Sequence, residues 1–116
     1  MGAEAFVDAT IWYGAANRAL VEHAVSGTTL QEAVGQGRVL VTTNLVVAEV
    51  HALLVHRVHR GAALLFLQKV RRSPNVVVYS TAELEERAVG NWIERYDDQD
   101  FSLVDAVSFA VMAERG

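Results

Sequence analysis

Three short apolar runs, each followed at once by a segment with helical spacing, most constrain how this 116-residue chain can fold. The runs are "AFVD" at 5–8, "RVLVTT" at 38–43 and "NVVVYS" at 75–80. Continuous apolar strands that alternate with helices indicate a parallel sheet covered on both faces. The sequence therefore predicts an α/β protein, a three-layer α/β/α fold with a central parallel sheet.

Helix signals fill the intervals between the predicted strands. Side-chain oxygens that can cap a helix precede most of the apolar-periodic segments, and glycine or proline follows several of them. The third predicted helix reaches about Arg60, and the helix after the third strand reaches about Tyr96. The predicted starts are Thr10, Thr29, Asn44, Ala62, Thr81 and Ser102, and the predicted stops are Gly35 with Gly37, Gly61, and Ser73 with Pro74.

Composition excludes several classes of protein. The chain is 52% hydrophobic and 21% charged, which is typical of one compact domain, here 1–116. It contains no cysteine, so disulfides and thiolate metal sites are excluded, and any metal must be bound by oxygen or imidazole. Because no apolar run approaches the roughly 20 residues that span a bilayer, we expect a cytoplasmic protein without membrane contact.

The basic residues are unevenly distributed. The formal net charge of −4 argues against a broad nucleic-acid-binding surface. Yet five of the ten lysines and arginines lie within the sixteen positions 57–72, so one edge of the protein can be basic. The candidates for binding nucleic-acid phosphates are Arg57, Arg60, Arg71 and Arg72; an ordinary solvated helix face is the alternative.

Three carboxylates stand at or near the starts of predicted helices: Asp8, Glu49 and Asp105. In open parallel sheets the functional crevice lies outside the carboxyl ends of the strands, where such acids can converge. Mg²⁺ and Mn²⁺ prefer oxygen ligands, and a bound metal can activate water and neutralise charge on a phosphate. The pattern therefore favours metal-dependent phosphodiester chemistry.

Each acid also has a purely structural interpretation, which the sequence leaves open. Asp8 can cap the helix that follows it, and Ser102 with Asp105 has the spacing of a capping box. Glu49 lies in the apolar run "LVVAEVHALLV", so if it is buried it requires a cation or donors, and otherwise it lies on a solvated strip.

Three segments together resemble the PIN domain of VapC-type toxins. They are "FVDATIWYGAAN" with Asp8, "VTTNLVVAEVHALL" with Glu49, and "RYDDQDFSLVDAVSFAVMAERG" with Asp105. The resemblance extends from the first strand to the last residue and is weakest between Arg18 and Gly37. PIN domains continue past this last helix into a further strand, so we expect a sheet without that strand.

The resemblance implies an Mg²⁺- or Mn²⁺-dependent endoribonuclease, usually a homodimer, that pairs with an antitoxin protein. Asp8, Glu49 and Asp105 then correspond to the metal-coordinating catalytic acids, with Thr10 as a hydroxyl neighbour and Ser102 shaping the third position. Asp100, in the acidic stretch before the last helix, is a supporting candidate. The alternative hypothesis is a PIN-like module that dimerises or binds an antitoxin and has little or no activity.

Overall fold

The computed structural model describes residues 3–72 and 74–116. No helix in these ranges is both long enough and apolar enough to cross a membrane. The elements follow in the order β1 (Glu4–Phe6), α1 (Ala9–Ala16), α2 (His23–Gly35), β2 (Val39–Thr43), α3 (Asn44–Arg57), α4 (Arg60–Val70), β3 (Val76–Val78), α5 (Ala82–Ala88), a π-helical turn (Val89–Glu94) and α6 (Leu103–Arg115).

The described strands form one parallel sheet in the order β1–β2–β3. Val41 of β2 is in register with Phe6 on one side and with Val76 on the other. The Val7 N–H extends the pairing beyond β1 by donating to the Val41 carbonyl at 2.8 Å. The predicted parallel sheet is confirmed, although β1 and β3 are shorter than the apolar runs that predicted them.

Successive residues of β2 enter two different hydrophobic cores, because side chains alternate across a strand. Leu40 belongs to the first core, which lies between the sheet and α1, α3 and α4. Val41 belongs to the second core, between the sheet and α5 and α6. Both faces of the sheet are therefore covered, which confirms the predicted three-layer fold.

The cap of α1 is one of the two candidates, Asp8 and Thr10, and the cap of α3 differs from the predicted residue. Asp8, and not Thr10, lies at the N-cap of α1 and accepts a hydrogen bond from Ile11 N. Thr43 caps α3, so the prediction of Asn44 as the cap was wrong. Asn44 is the first helical residue, and its Oδ1 accepts from the Ser80 N–H at 2.8 Å. That contact fixes the end of β2 to the chain that follows β3.

The prediction that the second helix starts at Thr29 was also wrong. α2 begins six residues earlier, at His23, and the Thr29 hydroxyl donates to the Val25 carbonyl at 2.8 Å inside it. A threonine in a helix can satisfy its hydroxyl in this way, so its capping signal is not decisive. The extra turns are stabilised by packing against α1, where Ser26 lies against Gly14.

The break between α3 and α4 falls at Val58 and His59, not at Gly61. His59 Nδ1 accepts from Ala62 N at 3.0 Å and so caps α4 before the glycine is reached. α4 ends at Val70, and the predicted stop at Ser73 lies outside the described residues. After β3, Thr81 caps α5 as predicted. That helix changes after Ala88 into a π-helical turn.

An ion pair at the surface fixes the direction of α6. Arg115 donates from Nε and Nη2 to the two carboxylate oxygens of Glu4, at 3.0 and 2.7 Å. These hydrogen bonds lower the pKa of the Glu4 carboxyl. Since Glu4 is the first residue of β1, the C-terminal end of α6 lies beside the amino ends of the strands. Asp105, ten residues earlier and about 15 Å along the helix, lies toward the carboxyl ends.

The contact of α1 with α2 requires glycine at position 14. A Cβ at Gly14 would lie 3.0 Å from Ser26 Cβ and closer still to the Ser26 hydroxyl oxygen. We expect Gly14→Ala to lower the free energy of unfolding by about 1–3 kcal/mol because the two helices must separate. Urea unfolding followed by circular dichroism measures this.

Gly27 in α2 is the matched control, because a Cβ there meets nothing within 4 Å. Gly27→Ala should be neutral or stabilising by up to about 1 kcal/mol, since alanine favours the helix. Equal stability of the two variants would contradict the close approach of α1 to α2.

Candidate functional site

Four helices begin at the edge formed by the carboxyl ends of the strands. α1, α3 and α5 follow β1, β2 and β3 directly, and the Glu4–Arg115 pair places the start of α6 on the same side. Helix N-termini carry partial positive charge and favour nearby carboxylates. A side-chain oxygen caps each of these starts, and the capping residues are Asp8, Thr43, Thr81 and Ser102.

Asp8 uses one carboxylate oxygen for the fold. Its Oδ1 accepts from Ile11 N at 3.2 Å, and the residue is exposed. The hydrogen bonds of the described residues do not involve Oδ2. The structural interpretation of Asp8 as a helix cap is therefore confirmed, and one of its oxygens remains available to a ligand.

Asp105 is placed in the same manner by the capping box of α6. Its N–H donates to Ser102 Oγ at 3.0 Å, and its Oδ2 accepts from Ser102 N at 3.1 Å. The predicted capping box is confirmed. Asp105 is exposed, and the hydrogen bonds of the described chain leave its Oδ1 available. A cap and a ligand role are compatible here because a carboxylate has two oxygens.

Glu49 lies in the second turn of α3 and is exposed. The interpretation that would bury it in an apolar helix is therefore wrong. Val46, Val50 and Leu54 form the buried face of α3, with exposed fractions of 1%, 0% and 0%. Other apolar residues of the run face solvent, among them Val55, which is 41% exposed. Most residues of this run are apolar, but only one side of the helix that they form is buried.

Glu49 and Thr10 line one cleft between α1 and α3, of about 310 Å³, which we call the α1–α3 cleft. The structure thus brings two of the predicted site residues together. A second carboxylate, Glu22, lines the same cleft, and sequence reasoning missed it because the segment around it has no motif. The remaining lining residues are Ala9, Tyr13, Gly14, Leu20 and Leu53.

The three acids fit a hard cation by chemistry, since each offers carboxylate oxygen in a solvated position. Their arrangement in space, however, is not that of a complete metal site. Within residues 3–72 and 74–116, no group of three or more His, Asp or Glu side chains lies close enough to hold a metal ion. Asp105 does not line the cleft that holds Glu49. The acids share an edge of the sheet without forming a closed coordination site.

Polar contacts beneath this edge hold the strand ends in place. The buried Thr42 hydroxyl donates to the Val7 carbonyl at 3.0 Å and so joins β2 to the end of β1. Ser80, bonded through its N–H to Asn44, also donates its hydroxyl to the Glu85 carboxylate. The backbone from which Asp8 and α3 extend is therefore cross-linked across the whole sheet.

The candidate RNA-binding arginines are all exposed and fall into two groups. Arg71 lines a cavity of about 210 Å³ together with Asn44, at the start of α3, and Arg72 follows it. Arg57 and Arg60 lie at the turn from α3 to α4, and Arg57 is about 12 Å along the helix from Glu49. Of the two groups, Arg71 thus shares a cavity with the start of α3.

Ser102 should contribute to stability through its hydroxyl. We expect Ser102→Ala to lower the free energy of unfolding by about 1 kcal/mol, because the Asp105 N–H loses its acceptor at the start of α6. Thermal unfolding measures the loss, and Ser102→Thr, which keeps the oxygen, should retain most of the stability. A Ser102→Ala protein as stable as the unsubstituted chain would show that the cap contributes nothing.

Comparison with known proteins identifies relatives over almost the whole chain. The chain is 36% identical over 115 residues to the 23S rRNA-specific endonuclease VapC20 of Mycobacterium tuberculosis, in strains CDC 1551 / Oshkosh and H37Rv. The match covers 96% of this chain and 82% of the relative. No family model matches the sequence.

A solved structure agrees with the sequence comparison. The crystal structure of Mycobacterium tuberculosis VapC20, described as a sarcin-ricin loop cleaving toxin, superposes with a TM-score of 0.82 at 31% identity. The superposition covers 96% of this chain and 82% of that one. On this evidence the chain belongs to the VapC-type ribonucleases of the PIN-domain fold.

Proposed function

We propose that this protein is a metal-dependent endoribonuclease that hydrolyses RNA phosphodiester bonds and acts as the toxin of a toxin–antitoxin pair. The observation that carries the proposal is its 36% identity, over 96% of the chain, to a relative named as a 23S rRNA-specific endonuclease. The exposed acids at the carboxyl edge of the sheet supply the chemistry that such an enzyme needs. By analogy with VapC20, a structured loop of ribosomal RNA is the proposed substrate class.

We assign the metal, Mg²⁺ or Mn²⁺, to Asp8, Glu49 and Asp105. A bound divalent ion supplies an activated water and neutralises charge that develops on the scissile phosphate. Without it the acids would repel both one another and the RNA. Asp8 caps α1, Glu49 lies on α3 and Asp105 on α6, so the proposed ligands come from three separate elements.

The protein's own groups fix two of these acids before any ligand binds. The N–H groups at the starts of α1 and α6 hold one oxygen of Asp8 and of Asp105. The dipoles of these helices favour the ionised carboxylates by about 0.3–1 kcal/mol each. Thr10 can orient a water or a ribose hydroxyl beside Glu49, because both line the α1–α3 cleft. Ser102 fixes Asp105, and Asp100 remains a supporting candidate.

RNA must reach an acidic site, so cations along its path are required. Arg71 and Arg72 are the proposed contacts for phosphates next to the cleaved bond, because the Arg71 cavity reaches the start of α3. Arg57 and Arg60, at the far end of α3, would contact phosphates further along the strand. Each such contact adds a salt-dependent contribution to affinity.

Protein partners are the second part of the proposal. An antitoxin and a second copy of the chain both require apolar surface, and α2 and α4 expose it. Leu64 and Leu65 of α4 are each 47% exposed. Near the start of α2, Val21 is 93% exposed and Val25 69%. These exposed side chains support the proposal of a homodimer and of a partner protein.

Asparagine substitutions should separate catalysis from folding. Asn is as good a helix cap as Asp, and its side-chain oxygen can still accept from Ile11 N or Ser102 N. We therefore expect Asp8→Asn and Asp105→Asn to fold, with an unfolding temperature lowered by a few degrees at most, and to lose cleavage of a ribosomal RNA loop in Mg²⁺ by at least about 100-fold.

Asp97→Asn is the control, because it removes one exposed negative charge from the loop before α6 without touching a cap. It should cleave at the normal rate. Cleavage by Asp8→Asn or Asp105→Asn at the rate of this control would refute the assignment of these acids.

Metal binding can be measured without RNA. Titration calorimetry with Mn²⁺ should show micromolar binding that is lost in Glu49→Gln, because the neutral amide is a much poorer ligand for a hard cation. Glu49→Gln should leave the unfolding temperature unchanged, since Glu49 is exposed.

Glu86→Gln, an exposed position on α5, controls for the loss of one negative charge. It should bind Mn²⁺ normally. If the unsubstituted protein binds no Mn²⁺, the metal-dependent enzyme is excluded, and the module that dimerises or binds an antitoxin without cleaving RNA becomes the better explanation.

A further inference from the structure

Four aromatic side chains form a cluster at the start of α6, which we call the aromatic box: Trp92, Tyr96, Phe101 and Phe109. Phe101 meets Phe109 edge-on with ring centroids 5.0 Å apart, and Tyr96 edge-on at 6.4 Å. Trp92 stacks on Tyr96 at 6.0 Å and lies 5.3 Å from Phe109. The four rings line a small open cavity of about 140 Å³. None of the assigned site residues is among them.

The π-helical turn Val89–Glu94 places Trp92 in this cluster. Leu84 and Ala88 of α5 are buried in the second core, and the wider turn lets both Trp92 and Ile93 pack against that core. A π-helical turn inside a helical segment is rare, and such turns are frequent at functional sites. Here the turn ends shortly before the acidic loop that leads into α6.

Phe101 connects the aromatic box to Asp105. It immediately precedes Ser102, the N-cap whose two hydrogen bonds hold Asp105. An apolar residue at this position commonly packs on the following helix and fixes the angle at which the chain enters it. Phe101 does so through Phe109, two turns into α6, and through Tyr96 on the preceding segment. The rings therefore determine the position of the helix start that carries Asp105.

A nucleobase platform is the competing interpretation of exposed aromatic rings near a nuclease site. The surrounding charges argue against it. Glu94, Asp97, Asp98 and Asp100 are all exposed beside the box, and they would repel RNA phosphates. Arg95 is already placed over the Tyr96 ring, 5.6 Å from its centroid. The contacts of the rings are directed toward one another and toward the start of α6.

We propose that Phe101, held by Trp92, Tyr96 and Phe109, is a positioning residue that sets the Asp105 carboxylate for metal binding. This inference rests on the proposed function, in which Asp105 is a metal ligand. It goes beyond that function by assigning a role to residues that touch neither metal nor RNA. Outer residues that orient a ligand can change metal affinity by 10- to 100-fold.

Phe101→Leu tests the inference, because leucine retains an apolar side chain and removes both edge-on ring contacts. We expect about 10-fold weaker Mn²⁺ binding by calorimetry, and Phe101→Tyr, which keeps the ring, should restore the affinity. Phe66→Leu is the matched control. It removes an edge-on contact of the same kind, to Trp12 at 5.9 Å, in the first core between α1 and α4.

A purely structural role for Phe101 predicts a different result. In that case Phe101→Leu and Phe66→Leu would lower the unfolding temperature and leave Mn²⁺ affinity unchanged in both folded proteins, which would overturn the inference. The positioning role predicts weaker Mn²⁺ binding in Phe101→Leu alone, even though Phe66 is the more deeply buried ring.

Hydrogen exchange provides a readout that does not depend on metal or RNA. The Ser102 and Asp105 N–H groups are both hydrogen-bonded in the capping box, so they should exchange faster in Phe101→Leu and not in Phe66→Leu. Unchanged exchange would overturn the inference. If the unsubstituted protein bound no Mn²⁺, the proposed function would fail and the inference with it. Normal Mn²⁺ binding with unchanged affinity in Phe101→Leu would overturn the inference alone.

Discussion

β2 is hydrogen-bonded to a parallel strand on each side, and its side chains enter both hydrophobic cores. Thr42 and Thr43, at its end, are fully buried, and their hydroxyls bind the Val7 carbonyl and the start of α3. The position of every other strand is defined relative to β2. Because α1, α3 and α5 each begin where a strand ends, the alignment of the strands also sets the positions of the helix starts and of the acids that they carry.

Local sequence predicted the elements whose signals lie within one turn, such as the capping boundary at Ser102 and the cap at Thr81. It failed where a contact with a residue far away in the sequence determines where a helix begins. Thr43 and Asn44 are both good caps, and Asn44 is instead bonded to Ser80, which is 36 residues away in sequence. Thr29 has a capping signal, but packing of α2 on α1 extends the helix past it. The π-helical turn has no local signature of this kind, because it depends on packing between α5 and α6.

The candidate site shows the same division. The alternation of strands and helices is visible in the sequence. It predicts that Asp8, Glu49 and Asp105 lie toward one edge of the sheet. The exposure of Glu49 does not follow from that alternation, because it depends on which side of α3 packs against the hydrophobic cores. Glu22 was missed since it enters the cleft from the loop before α2, where no periodic pattern operates. The sequence thus indicates which acids share an edge, and the packing of α1 and α3 decides which of them share a cleft.

The use of Asp8 and Asp105 as helix caps has an evolutionary consequence. One base change converts an aspartate codon into an asparagine codon, and asparagine satisfies the same helix start. A gene for a protein of this type can therefore lose the charge of either acid in one step and still encode a folded product. Selection on folding alone would not remove such copies, so they can persist in a genome beside copies that keep both charges.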